Sequence, residues 1–357
     1  MKKIGVLIVE DSDVVRQLLQ HIIAADPRLQ VLAAVASAEE ALEILQRISP
    51  DVISLDIRLP GMNGFEATRR IMRDKPTPIV VCSASVASHE LNITMNALRA
   101  GALAVVEKPV GTTRPEYEQL ARTLCVQLAI MSEVKVVRQR TFTDATPAAP
   151  VVRRPTVKSV GRPGGGKSPR VLGIGASTGG PNAVVQVLTS LGPGFPLPIL
   201  LVQHIMPTFV TGFVSWLEGV TPYRAVIART AESPIAGNVY LAPADHHLEF
   251  DGHRIRLTQD PPVSVQRPSA TVLFRSMARA VGDSGIGILL TGMGDDGADG
   301  LLELRRAGGY TIAEHESSAI VYGMPKAAVD RGAACECLPI GDIAPRILEL
   351  VSAVERV

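Results

Sequence analysis

The chain has 357 residues, 46% of them hydrophobic and 20% charged. That is enough apolar material for more than one core, and it excludes a disordered chain. Lys plus Arg number 36 against 35 Asp plus Glu, a net charge of +1, which as a total gives no support for a nucleic-acid or anionic-membrane partner.

The four cysteines, Cys82, Cys125, Cys335 and Cys337, are too few and scattered for a disulfide scaffold and point to a reducing compartment. Cys335-Glu336-Cys337 has no second Cys/His pair nearby and reads as an ordinary strand. The N-terminal apolar run Ile4–Val9 stops at Glu10-Asp11, short of an export core. No stretch approaches the ~20 apolar residues of a membrane helix. The expected location is the cytoplasm.

In chain order, strand candidates are Ile4–Val9, Val31–Val35, Val52–Leu55, Ile79–Cys82 and Leu103–Val106. Helical patterns fall at Val14–Ala25, Ala38–Ile48, Phe65–Arg73, Leu91–Ala100 and Tyr117–Met131. Such β–α alternation predicts a parallel sheet with helices on both faces. Chemistry-bearing residues sit where strands end: Glu10-Asp11, Asp56, Ser83 and Lys108. Strand C-termini are where ligands bind in open parallel sheets. Glu10, Asp11 and Asp56 can hold Mg²⁺ through oxygen ligands. Asp56 can then attack a phosphoryl donor, with Lys108 and Ser83 binding the transferring group.

Residues 131–170 are rich in Pro, Gly, Thr and Arg and read as a linker. Gly161 to Ser168 fits a phosphate-loop pattern, G-x-x-x-x-G-K-[ST]. The preceding Pro-rich stretch and Pro169 deny it the strand and helix that the loop needs, and it is rejected. The near-zero total charge is a cancellation: residues 1–130 carry −1, residues 131–170 carry +7 and residues 171–357 carry −5. The basic segment either aids solubility or leans on an acidic surface.

Apolar βα patterning resumes at Val171, with strands expected at Val171–Gly175, Ile199–Val202, Val239–Ala242, Ile255–Leu257, Ile286–Leu290 and Tyr310–Ala313. Helices are expected at Asn182–Leu191, Val272–Val281, Ala298–Ala307 and Ile343–Val354. Gly175-Ala-Ser177-Thr-Gly179 fits a nucleophile turn, G-x-S-x-G, at the start of a helix. The competing readings are a helix cap at Ser177 and a weak dinucleotide turn over Gly173–Gly179. His204 ends another strand and can serve Ser177 as a base, and His246-His247 can reach the same rim. Asp295 or Asp296 can orient the imidazole, and position alone does not choose between them. The order Ser, His, Asp excludes the α/β-hydrolase fold, which runs Ser, Asp, His.

Two resemblances follow from these motifs. Val9-Glu10-Asp11-Ser12, Leu55-Asp56 through Gly64, Ser83-Ala84 and Glu107-Lys108-Pro109 resemble the receiver domain of two-component response regulators. This implies a flavodoxin-like (βα)5 fold and phosphorylation of Asp56 by a histidine kinase with Mg²⁺ at Glu10, Asp11 and Asp56. Glu10, Asn63 and Ser83 depart mildly from the usual pattern, each keeping the needed atom type.

Gly175 to Pro181, Gln203-His204, Leu241-Ala-Pro243, Arg267-Pro-Ser269, Leu290 to Gly297 and Val321 to Pro325 resemble the catalytic domain of chemotaxis protein-glutamate methylesterases. That resemblance implies Ser177 as nucleophile, His204 as base and Asp296 as acid. Thr178 and Met293 would supply oxyanion-binding backbone groups. The implied substrate is a glutamate methyl ester on a chemoreceptor, with glutamine deamidation at the same site and no cofactor for the esterase step.

The expected organisation is a receiver over 1–130, a linker over 131–170 and a doubly wound, mainly parallel α/β catalytic domain over 171–357. The rival functions are a transcriptional response regulator and a C-terminal domain that binds a ligand or dinucleotide without hydrolysis. Residues 171–357 hold 13 basic against 18 acidic side chains, which disfavours DNA binding.

Overall fold

The computed structural model describes residues 3–83, 96–98, 100–109, 117–134, 136 and 168–352. Most of the expected linker, the phosphate-loop pattern apart from Ser168, and residues 91–95 of the expected Leu91–Ala100 helix lie outside the described residues.

Strands β1 (Ile4–Val9), β2 (Leu29–Val35), β3 (Val52–Asp56), β4 (Ile79–Ser83) and β5 (Ala104–Glu107) form a parallel sheet in the order β2-β1-β3-β4-β5. The central strands β3 and β4 are buried along their whole length. Both faces are covered, which is why their sequences are apolar without alternation. Helices start where Ser12, Ser37 and Asn63 accept main-chain N–H groups of Val15, Glu40 and Glu66. The helix expected over Ala38–Ile48 ends at Ile44. The Lys75 ammonium binds the carbonyls of Leu45 and Ile48 at 2.5 and 2.8 Å, and this stabilises the turn that replaces the last helical turn.

The second sheet has seven parallel strands: β6 (Val171–Ala176), β7 (Ile199–Gln203), β8 (Arg224–Ile227), β9 (Asn238–Leu241), β12 (Gly285–Leu289), β13 (Tyr310–Glu314) and β14 (Glu336–Leu338). Their order is β14-β13-β12-β6-β7-β9-β8. A separate antiparallel hairpin pairs β10 (His247–Phe250) with β11 (Ile255–Thr258). The chain winds from β6 towards β8 on one side and from β12 towards β14 on the other. The switch in direction falls between β6 and β12, where such folds open a crevice.

The sequence pattern missed β8, β10 and the helices Val210–Val220 and Met324–Asp330. β8 is a four-residue edge strand that is exposed at both ends, and the Met324–Asp330 helix has only seven residues and opens on Met-Pro.

The two sheet units share apolar packing. Leu98 and Ala102 belong to one buried cluster with Ala183 and Val184. Ile320 and Val321 pack against a second cluster that contains Val106 and Leu124. No described helix is long and apolar enough to cross a membrane.

Candidate active site and acidic pocket

Ser177 follows β6, His204 follows β7, and Thr291 to Asp296 follow β12. These are three adjacent strands, so one rim collects all three side chains singled out from sequence. Ser177 lies in the turn before the helix Gly180–Leu191, which carries Pro181 in its first turn. An added Cβ at Gly180 would stand 2.2 Å from Gln203 Oε1 and 2.9 Å from Ala176 Cβ, so the turn packs closely against the end of β7.

His204 donates Nε2–H to Asp296 Oδ2 at 2.9 Å. A carboxylate only accepts, so this bond places the proton on Nε2 and leaves Nδ1 with its lone pair. Nδ1 is buried and has no partner among the described residues. Ser177 and His204 line one cavity of about 290 Å³, and no hydrogen bond joins their side chains.

Asp296 is 2% exposed. Its Oδ1 accepts the Ser269 hydroxyl at 2.6 Å and the Thr271 N–H at 3.1 Å, and its Oδ2 also accepts the Ala270 N–H at 2.7 Å. Burial alone would raise its pKa, but the bonds from His204, Ser269 and Thr271 hold it below the usual carboxylate range. The acceptor sits at the N-terminus of the helix Ala270–Ala280, whose Ser269 is also the cap. Asp295, by contrast, is exposed and pairs with Arg331 at 2.5 Å.

Ser269, Ala270 and Thr271 were not assigned a role from sequence, although Ser269 lies in the Arg267-Pro-Ser269 stretch that carries the methylesterase resemblance. His247 reaches the site at one remove. It is fully buried, and its Nδ1 accepts the Ser269 N–H at 3.2 Å. His246 bonds the Ala244 carbonyl instead, and His253 is exposed.

The Ser177 N–H is already committed to the Thr291 carbonyl at 3.0 Å. The N–H groups of Thr178 and Met293 donate to no backbone acceptor among the described residues. The Met293 side chain is 48% exposed at the same rim. A serine, an imidazole locked by a buried carboxylate and free N–H groups are the parts required for acyl transfer.

One wall of this cavity comes from the five-stranded unit. Leu98, Val105 and Gln127 face Ser177, His204 and Gln266 across it. Asn182 Nδ2 donates to the Leu98 carbonyl at 2.8 Å, and the Thr208 hydroxyl donates to Glu107 Oε2 at 3.2 Å.

The acidic pocket lies at the ends of β1, β3, β4 and β5. Carboxylate oxygens of Glu10, Asp11 and Asp56 lie within 4.8 Å of one another. Lys108 Nζ stands 2.7 Å from both Glu10 Oε2 and Asp56 Oδ2. Burial, with the repulsion between neighbouring carboxylates, keeps Glu10 and Asp56 above the ordinary carboxylate range in spite of Lys108. Ser83 is 1% exposed and closes β4 beside them. Three oxygen donors with excess negative charge fit a hard divalent cation. Cys335 and Cys337 are free thiols, with no metal-ligating cluster around them among the described residues.

Comparison with known proteins places the chain by family. Residues 172–347 match the family model for CheB methylesterase, and residues 6–115 match that for the response regulator receiver domain. A protein-glutamate methylesterase/protein-glutamine glutaminase of Paramagnetospirillum magneticum is 55% identical over 99% of each chain. One of Nitrosospira multiformis is 43% identical over 98% of this chain and 97% of its own. The Thermotoga maritima CheB methylesterase catalytic domain superposes with a TM-score of 0.50 at 32% identity, covering 52% of this chain and 100% of that one. With a receiver-type sheet, a second sheet whose rim gathers serine, histidine and aspartate, and relatives matched along nearly the whole chain, this protein belongs to the protein-glutamate methylesterase/protein-glutamine glutaminase family.

Proposed function

We propose that this protein hydrolyses glutamate methyl esters on chemoreceptors, releasing methanol, and deamidates receptor glutamines at the same site. The observation that carries this reading is the His204–Asp296 bond, with Asp296 locked on both oxygens and Ser177 on the same cavity. Ser177 Oγ attacks the ester carbonyl while His204 takes its proton at Nδ1, the ring nitrogen left open by the bond to Asp296. Asp296 then stabilises the imidazolium. The Thr178 and Met293 N–H groups hold the oxyanion, each contributing about 3 kcal/mol. Methanol leaves with the proton from His204, and water repeats the cycle to release the carboxylate. A glutamine amide follows the same path and releases ammonia. The ester step needs no cofactor.

The five-stranded unit is read as a phosphorylation-driven cover. Asp56 accepts the phosphoryl group from a histidine kinase, and Ser83 and Lys108 bind its oxygens. Glu10, Asp11 and Asp56 would hold Mg²⁺, which neutralises charge on the transferring group when bound. The unphosphorylated unit walls the Ser177 cavity through Leu98, Val105 and Gln127, and phosphorylation shifts the balance towards an open form. Such a protein works in the cytoplasm, where receptor signalling helices lie.

The deciding experiment is methanol release from membranes containing methylated receptor, with wild type and Ser177→Ala assayed side by side. The variant is expected to lose activity by at least about 10³-fold. Retained activity overturns the assignment.

A further inference from the structure

A second buried carboxylate stands behind the rim and takes no part in the mechanism above. Glu314 ends β13 and is 1% exposed. It forms no salt bridge among the described residues. Its Oε2 accepts the Thr291 N–H at 2.8 Å, and its Oε1 accepts the Ser318 hydroxyl at 2.9 Å. Burial pushes its pKa above the usual carboxylate range, so the fold keeps this group at some cost.

What Glu314 holds is the residue on which the rim is assembled. Thr291 is itself 1% exposed. Its carbonyl accepts the Ser177 N–H at 3.0 Å. Its hydroxyl donates to the Thr178 carbonyl at 2.9 Å and accepts the Val321 N–H at 2.8 Å. The next residue, Gly292, takes the N–H groups of Gly323 and Met324 at 3.1 and 2.8 Å on its carbonyl. The nucleophile turn, the Met293 turn and the 320–323 loop therefore meet at Thr291–Gly292. Of the main-chain and hydroxyl groups of Thr291 and Gly292, the Thr291 N–H is the one that bonds none of these segments among the described residues, and Glu314 takes it.

We infer that Glu314 is a positioning residue for hydrolysis: by fixing the Thr291 N–H, it sets the main chain that carries the Ser177 and Met293 groups. It touches neither substrate nor His204. This inference rests on the serine mechanism proposed above. A small displacement of reacting groups costs far more in turnover than in binding, so the effect falls on kcat.

The test uses full-length protein, phosphodonor and methylated receptor membranes, with kcat and KM measured separately and folding checked by thermal melting. Glu314→Leu removes both acceptors, and kcat is expected to fall by about tenfold or more with KM within about twofold. Glu314→Gln keeps an acceptor for the Thr291 N–H and is expected to restore kcat to within about threefold. Glu314→Asp withdraws the acceptor by one methylene and repeats the test should the leucine variant fail to fold. Its kcat is expected to fall while its melting temperature stays close to wild type. Ser318→Ala removes the other bond of Glu314 without touching Thr291 and is expected to keep kcat within about twofold.

A folded Leu or Asp variant with wild-type kcat overturns the inference. So does a Gln variant as slow as Leu, or a kcat that merely tracks melting temperature across all four variants. Ser177→Ala assayed in parallel separates the two failures: an active Ser177→Ala sinks the serine mechanism. An inactive one beside a fully active Glu314→Leu sinks only the positioning role.

Discussion

Asp296 accepts four hydrogen bonds, from His204, Ser269, Ala270 and Thr271, while its neighbour Asp295 lies at the surface with Arg331. The sequence places both carboxylates in one turn, and the physical choice between them depends on which one meets a helix N-terminus more than twenty residues away. Asp296→Asn keeps the shape but presents an amide where His204 needs an acceptor, so kcat is expected to fall by about 10²–10⁴-fold with the fold intact. The same carboxylate links stability to pH. Its folded pKa is lowered, so it adds stability above the unfolded value of about 3.9, and that contribution is lost as pH falls through the folded pKa. Melting temperatures between about pH 5 and pH 2 should therefore fall more steeply for wild type than for Asp296→Asn. Parallel curves would show that the carboxylate is not held as described.

At the scale of elements, the strand ends were legible and the supports behind them were not. Ser177, His204 and Asp296 each follow an apolar run, and such runs can be read directly. The His246-His247 pair was legible as a neighbour of the rim, though not which of the two reaches it; the contacts of Ser269, Thr291 and Glu314 depend on packing between elements far apart in sequence, which no local pattern encodes. One such contact is the crossing of the helices Ala270–Ala280 and Ala298–Arg306. An added Cβ at Gly300 would stand 2.3 Å from the Thr271 carbonyl oxygen. That obstacle is main chain, so the helices must separate. Thr271 and Ala270 supply two of the N–H groups on Asp296, so separation also loosens the carboxylate. Gly300→Ala is expected to cost about 1–3 kcal/mol of stability by denaturant unfolding and to lower kcat as well. A stable, fully active variant would show that the crossing tolerates a methyl group.

For the whole molecule, the informative surface lies between the two sheets. Asn182 holds a main-chain carbonyl at Leu98, Thr208 holds Glu107, and residues of both units line the cavity beside Ser177. Each bond contributes about 0.5–1.5 kcal/mol, so removing both with Asn182→Ala/Thr208→Ala should raise the rate of methanol release without phosphodonor by roughly tenfold. Measured in an Asp56→Asn background, the rise cannot come from phosphorylation, and an unchanged rate would show that these contacts do not hold the cover closed. The division of charge, −1 and −5 on the folded parts against +7 on residues 131–170, was legible from the outset. The side chains that dock the two sheets were not, because buried and half-buried contacts between parts far apart in sequence carry no periodic signal.

That docking also bears on how the two halves need to be joined. The contact is made by shared apolar packing and, among the described residues, two side-chain hydrogen bonds, and between free molecules its occupancy would depend on their concentration. A covalent tether changes the arithmetic, because it keeps each half at an effective concentration near the millimolar range of the other. A weak contact is then occupied most of the time, yet it parts quickly and re-forms quickly. Tethering therefore lets a contact of modest strength serve a signal that must be reset, as the proposed cover requires.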